Sequence, residues 1–460
     1  MAPMPMPAIY TSSGKPFQEN KVIYVWSFTV WLVVMNTTMF NVALPSVLAE
    51  FSLTSTEASW IVSGYSIAFA ISTLTFSRLS DSVPISKLLT IGLSLLSAAS
   101  VLGFLSAHYY SLLAARILQA AGAGAVPGLA MVLAGRYIPV SRRGRAMAFI
   151  ASAASLGFGL GPVIGGGITQ YLGWHFLFAI TSLVVLLIPL YNRLLPTEQV
   201  RDGNFDVGGA ALTGLSVTGF LLLISTFSYT ILVITIVLFV IWWKYLHVQD
   251  TPFIQPELIK NRQYLKLITI GFTGFILHFS SLFLIPIILT SFYHKGAAEV
   301  GLIIFPGACL SAFTAQLIGR LIDHYGNKPV IYFGQSLLIA AAILFAFTST
   351  ISPYFIMVTY IFMSTGFSAL TSSISNEVTR LLPPSDIGSG MGIAQLGQFV
   401  GGAFGVTITG LLLTLQQGLS SEIGYRNIFL FLSVLFLGTF IILISYFRKA
   451  KAAHVNELQV

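Results

Sequence analysis

Apolar runs of about 20 residues, broken by a few polar or charged positions, recur from one end of this chain to the other. A helix of that length is what crosses the hydrocarbon of a bilayer, and its backbone polar groups are satisfied within the helix itself. The pattern predicts fourteen spans: 22–46, 57–77, 88–106, 110–134, 145–168, 174–195, 208–227, 229–247, 265–289, 298–318, 330–350, 354–376, 388–414 and 426–447. The predicted fold is therefore all-α and polytopic. An even number of spans places both termini on one side. The stretch before the first span is rich in Pro and Met and reads as a tail. The apolar run that follows it is too long for a signal-peptide core and has no small-residue cleavage site after it.

Composition agrees. The chain is 55% hydrophobic and 8% charged, with a mean hydropathy of +0.86. A water-soluble domain carries about 25% charged residues. The formal charge of +8 raises the question of nucleic acid. Its distribution excludes that partner. Of the 23 Lys and Arg, twenty fall in tails, loops or span ends on one side. Only Lys295 and Arg426 fall on the other, and Arg116 lies inside the fourth span. Such asymmetry is a topology signal rather than a binding face, and it puts both termini in the cytoplasm of a cell whose plasma membrane holds the chain. Cys309 is the single cysteine, so no disulfide forms within the chain.

Two features repeat at nearly the same lag, about 240 residues. "SRLSDSVPISK" (77–87) and "GRLIDHYGNKP" (319–329) share Arg-Leu-x-Asp, and both lie in basic loops. "GFGLGPVIGGG" in span five places Gly157, Gly161 and Gly165 four apart, and span thirteen repeats this with Gly397, Gly401 and Gly405. Each feature shifts by eight spans. The chain thus divides into a tail (1–21), a six-helix bundle (22–200), an inserted two-helix segment with a cytoplasmic linker (201–263), a second six-helix bundle (264–447) and a tail (448–460). Repeated halves flanking a central site are a transporter design. Glycines four apart line one helix face and admit a neighbouring backbone, and Pro162 removes a hydrogen bond and permits a bend. These seven residues are the expected helix gate, with ordinary small-residue packing as the competing reading.

The same residues resemble the major facilitator superfamily over nearly the whole chain. The 77–87 loop is similar to its loop 2–3 motif, with Ser77 and Pro84 in place of glycines; the second copy keeps Gly319, Asp323, Gly326 and Lys328. "LLAARILQAAGAGA" resembles the span-four motif through Arg116 and Gln119, and "GFGLGPVIGG" resembles the span-five signature of antiporters. "NTTMFNVALP" (36–45), "WIVSGY" (60–65) and "FDVGGA" (205–210) resemble the fourteen-span drug:proton antiporters, and "GRYIPVSRRGRA" (135–146) the Gram-positive tetracycline efflux proteins within that group. The resemblance implies two six-helix bundles with two inserted helices, a small-molecule substrate and protons as the coupling ion.

The acids complicate that picture. None of the fifteen falls mid-span, and the places where the resemblance implies acids hold Asn36 or Thr37, Phe158 and Gly402. Asp81 and Asp323, with Arg78 and Arg320, are read as a conformational switch at the ends of the basic loops. Glu377 is a candidate proton carrier or the partner of Arg380 at i+3, and His278 is a candidate proton carrier or a neutral, hydrogen-bonded histidine. Arg116, with Gln119, Asn36, Thr37 and Asn41, marks the expected transport pathway, because a permanent charge in a span faces a partner or a wet cavity. That partner would be backbone carbonyls, Asp81 or an anionic substrate group. Trp60 and Tyr65 are further cavity candidates. No phosphate loop, nucleophile triad or metal-ligand cluster is present in the sequence, so neither a cofactor nor an enzyme is expected. The expected function is export of amphipathic drug-like molecules by proton antiport. Export of an endogenous metabolite, siderophore or lipid with altered coupling is an alternative, as is a transporter-shaped sensor or scaffold.

The charge asymmetry is testable. With Cys309 replaced by Ala, cysteines at positions 50, 295 and 422 are expected to react with a membrane-impermeant maleimide from outside intact cells. Cysteines at 142 and 328 are expected to react only after permeabilisation. Outside labelling at 328 would overturn the fourteen-span arrangement.

Overall fold

The computed structural model describes residues 18–80, 82–138, 140–196, 198, 205–249, 252–383 and 387–457. Among them every regular element is helical. The spans are α1 (Glu19–Phe51), α2 (Ser55–Leu79), α3 (Ile85–Phe104), α4 (Tyr109–Ala123 and Ala125–Tyr137, joined at Gly124), α5 (Val140–Tyr171) and α6 (Phe176–Ser182 and Ile188–Leu194, joined by a 3-10 turn). Then follow α7 (Val207–Thr226), α8 (Tyr229–Val248), α9 (Arg262–Ile287, ending in the π turn Ile288–Phe292) and α10 (Ala297–Tyr325). The last four are α11 (Asn327–Thr348), α12 (Pro353–Leu381), α13 (Ile387–Leu415) and α14 (Ser421–Glu457). Among the described residues thirteen of these are long and apolar enough to cross a membrane; α5, with its basic first turns, occupies the place of the predicted fifth span.

Local chemistry sets the helix ends. Thr54 and Glu57 form a reciprocal capping box at the start of α2, and the Asn261 side chain accepts from Gln263 N and Tyr264 N at the start of α9. Gly326 ends α10 and opens α11 in a single residue at φ +77°, a conformation that favours glycine.

The helices pack in a repeated scheme. α1 lies along α5, and α9 lies along α13. Two extensive contacts join the first six helices to the last six: α5 against α10, and α2 against α13, with α1 touching α9 and α10 more lightly. Shifting a helix by eight exchanges the two contacts, since α2 becomes α10 and α5 becomes α13. The internal repeat is thus expressed as a pair of equivalent seams.

The inserted hairpin α7–α8 packs through α7 on α2 and α13, where Leu221 meets Ile67 and Ala403. Its root is tied by Asp206, whose buried carboxylate accepts from Gly209 N (2.7 Å), Phe253 N (2.8 Å) and the Tyr245 hydroxyl (2.8 Å). Trp242 Nε1 donates to Thr213 Oγ1 at 2.9 Å and holds α8 to α7. The "FDVGGA" stretch is therefore a helix cap and an anchor at once. Replacing Asp206 with Ala strands three donors and is expected to destabilise the protein by about 2–4 kcal/mol, read as a lower thermal midpoint in detergent. Asp206→Asn, which keeps one acceptor oxygen, should lose less.

Candidate functional site

The site begins with Arg116 on α4, which is 1% exposed. Its Nη1 donates to Gln119 Oε1 at 2.6 Å, and Gln119 Nε2 donates to Ser100 Oγ at 2.8 Å. The guanidinium lies between two rings, 4.5 Å from the centroid of Phe40 and 4.0 Å from that of Tyr65. A guanidinium is weakly hydrated and planar, so ring faces replace part of its lost water. Among the described residues no carboxylate pairs with it, and its Nε has no hydrogen-bond partner. The Tyr65 hydroxyl accepts from Asn36 Nδ2 and Thr37 Oγ1, both at 3.4 Å, and Asn36 Oδ1 accepts from Thr181 at 3.2 Å.

Four of the expected pathway residues, Arg116, Gln119, Asn36 and Thr37, are thus assembled around Tyr65. Asn41 is buried, but its Oδ1 has no partner among the described residues. Trp60 packs at the contact of α2 with the inserted hairpin rather than beside Arg116. Arg116 is held in the bundle interior beside Tyr65, fourteen residues or about 21 Å of helix from the end of α2 at Leu79. Of the partners the sequence offers Arg116, Asp81 lies outside the described residues.

From Tyr65 a line of rings crosses to the other half. Tyr65 stacks on Phe69 (5.9 Å), and Phe69 meets Phe399 of α13 edge-on at 4.8 Å. Phe399 meets Phe275 of α9 at 5.4 Å, and Phe275 meets Phe367 of α12 at 5.1 Å. Phe367 stacks flat on His278 (3.9 Å, 5°), and His278 meets Phe158 of α5 edge-on at 6.1 Å. His278 is 3% exposed, and neither ring nitrogen has a partner among the described residues. The hydrogen-bonded histidine that the sequence suggested is instead a ring packed among rings. Phe158, where the resemblance implies an acid, belongs to this cluster. Sequence reading did not single out Phe69, Phe275, Phe367 or Phe399, because phenylalanine is spread through every span and its type alone marks no site.

The glycine ladders face inward within each half. A Cβ at Gly157, Gly161 or Gly165 would crowd Trp31 O (2.9 Å), Met35 O (3.0 Å) and Met39 O (2.5 Å) of α1. Gly401 and Gly405 meet the carbonyls of Phe272 and Ile276 of α9 in the same way, and Gly397 meets the Ile268 side chain. The expected gate glycines therefore fasten α5 to α1 and α13 to α9. Other small residues carry the seams. Gly159 meets Ala308, Gly166 meets Ala297, and Gly301 meets the carbonyl of Pro162 between α5 and α10. Gly410 meets Ser55 between α2 and α13. Pro162 of the predicted gate set does touch the opposite half, through its carbonyl.

Hydrogen bonds also cross the seams. Ser63 Oγ donates to Ala403 O (3.0 Å) and lies 2.9 Å from Thr407 Oγ1; Thr56 Oγ1 lies 2.8 Å from Thr414 Oγ1; Gln170 Oε1 accepts from Ala298 N at 2.9 Å. At the basic end Arg78 Nη2 donates to Ser389 Oγ at 2.9 Å, so the first copy of the loop motif reaches the second half. Arg320 is exposed. Asp81 and the side chain of Asp323 lie outside the described residues.

Among the described residues, a largely buried carboxylate also ties helices together at the basic end of each half. Glu377 accepts from Asn327 Nδ2 (2.5 Å) and the Tyr446 hydroxyl (2.8 Å), with Arg380 at 3.6 Å, and so ties α11, α12 and α14 together. Glu198 accepts from Ile85 N (2.5 Å), Arg136 (3.2 Å) and the Tyr137 hydroxyl. Burial and the Glu198 carboxylate push the Tyr137 phenol above its usual range, so it stays protonated as the donor. Arg136 and Arg380 sit at equivalent ends of α4 and α12, a signal in the repeat lag that would have drawn attention to Glu198.

The two glycine classes separate by experiment. Gly161→Leu is expected to lower thermal stability, because the side chain would displace α1 from α5. Gly301→Leu is expected to leave each half folded but slow turnover at least tenfold, because it wedges the seam. Equal effects of both variants on stability and turnover would remove the distinction.

The Major Facilitator Superfamily pattern matches residues 26–406. The chain is 24% identical over 380 residues to the riboflavin transporter RibZ of Clostridioides difficile, covering 81% of this chain and 83% of that one. It is 23% identical to the putative multidrug resistance protein MdtD of Escherichia coli, covering 85% and 86%. Among solved structures it resembles a bacterial homolog of the human lysosomal transporter Spinster in an inward-facing, unoccupied conformation (TM-score 0.69, 14% identity, 93% and 97% covered). It also resembles a POT family transporter in complex with a thioalcohol-conjugated peptide (TM-score 0.70, 14% identity, 95% and 99% covered). The chain, with its two equivalent seams and its line of rings between the halves, belongs to the Major Facilitator Superfamily and is a secondary transporter, not an enzyme.

Proposed function

We propose that this transporter exports amphipathic, drug-like small molecules, tetracycline-like ones among them, from the cytoplasm across the plasma membrane by alternating access. The observation that carries the reading is the pair of exchanged seams. They are built from small residues and hydroxyl groups, which slide past one another at low cost, whereas a static scaffold gains nothing from them. The span-five signature and the likeness to MdtD support the outward direction. The likeness to RibZ adds flavin-like aromatic molecules to the candidate substrates.

The resemblance implies protons as the drive, with Glu377 and His278 as candidate carriers. One observation favours a second reading, in which proton coupling is altered or absent. Every acid whose helix the structure describes lies in a loop or within about a turn of a helix end.

Flux in proteoliposomes decides. Tetracycline and riboflavin are expected to move downhill through the wild type, and Gly301→Leu is expected to block that movement. If protons drive export, an imposed pH gradient produces uphill movement that Glu377→Gln or His278→Gln abolishes without loss of downhill flux. Failure of both molecules to move would overturn export of this class.

A further inference from the structure

We propose that Arg116 makes the transport path selective for organic anions with a flat aromatic body, and that the membrane potential drives their export without a proton. The proposal rests on the export reading above and deepens it by naming the charge of the substrate and the source of work.

The charge argument begins with what faces the guanidinium. Arg116 is buried between Phe40 and Tyr65, with Gln119 as its hydrogen-bond acceptor and Nε unpartnered. Ring faces and an amide oxygen offset only part of the cost of burying a cation. A carboxylate or sulfonate offers the guanidinium two charge-assisted hydrogen bonds in a matching planar geometry, and it would displace the weaker ring contact. A cationic molecule meets the reverse situation. Among the described residues the interior supplies no carboxylate to neutralise it, and Arg116 repels it. The aromatic body follows from the seam. Phe158 of α5 and Phe275, His278, Phe367 and Phe399 of the second half bring neutral ring faces together from both halves. Separation of the halves frees those faces for a flat ligand.

The source of work follows from the same charge. A carrier whose guanidinium is compensated by a bound anion crosses the membrane field as a neutral unit. The empty carrier holds one uncompensated positive charge. In a cell with a negative interior, the field pulls that charge toward the inward-facing state. Each cycle thus carries one negative charge outward, and the potential performs the work on the return of the empty carrier. No proton binds or leaves, which fits an interior in which the described acids sit at helix ends.

The test uses the full-length protein in proteoliposomes at equal pH on both sides, with a potassium gradient and valinomycin setting the potential. The probes are naphthalene-2-sulfonate and, matched in size, 2-naphthyltrimethylammonium. The sulfonate is expected to accumulate on the positive side, the ratio rising about tenfold for each ~60 mV, the slope for a monovalent ion. The ammonium should move no faster than in protein-free vesicles. Arg116→Gln should lose the preference for the sulfonate, and Arg116→Lys, which keeps the charge, should retain much of it. Retention by Lys separates loss of charge from misfolding. Equal transport of the ammonium, accumulation that follows a pH gradient instead of the potential, or an unchanged preference in Arg116→Gln would each overturn the proposal. Movement of tetracycline or riboflavin without the sulfonate leaves the export reading intact and removes only this inference. If no probe moves, both fall.

Discussion

Close approach of one helix backbone to another is the constraint on which the rest of this structure depends. In lipid, burying an apolar side chain gains little, because the tails around it are equally apolar. Helices are held instead by packing at short range and by polar bonds between them. The chain meets this with two sets of glycines that differ in direction. One set presses α5 onto α1 and α13 onto α9, giving each half a rigid spine. The other set, with Ser63, Thr56, Thr407 and Thr414, lies between the halves. In the first set, Gly165, Gly401 and Gly405 leave no room for even a methyl group without displacement of backbone. The second combines small surfaces with hydroxyl pairs that exchange partners readily. Rigid halves joined by yielding seams are what alternating access requires.

The polar interior is economical. Arg116 has ring faces, Gln119 and, through it, Ser100, while Asn36, Thr37 and Thr181 satisfy one another around the Tyr65 hydroxyl. Carboxylates appear at the basic end, where Glu198 and Glu377 each tie together helix ends of one half. The inserted hairpin follows the same logic, with Asp206 anchoring its root while its outer face, as on Val233, Ile236 and Val240, stays apolar and exposed. Charge is thus placed where water or helix termini stabilise it, with Arg116 the exception that calls for a functional account.

The sequence by itself determined the architecture. Run length alone specifies helices that cross a bilayer, because a backbone without water must satisfy its own polar groups. The lag between the Arg-Leu-x-Asp loops and between the glycine ladders determined the two-part repeat, since repeated segments adopt repeated packing. Arg116 was legible for a similar reason: a permanent charge in an apolar run stands out against its surroundings. Direction was not legible. Glycines four apart define a face, but the neighbour of that face depends on how the bundle closes, and only the tertiary structure turned the ladders toward α1 and α9. The same holds for His278, where composition suggested a hydrogen bond and packing supplied Phe367. The ring line from Tyr65 to Phe158 draws on five helices far apart in sequence, and no local period records such a meeting. Glu198 lies outside any span and acquires its partners only because the ends of α3 and α4 converge on it.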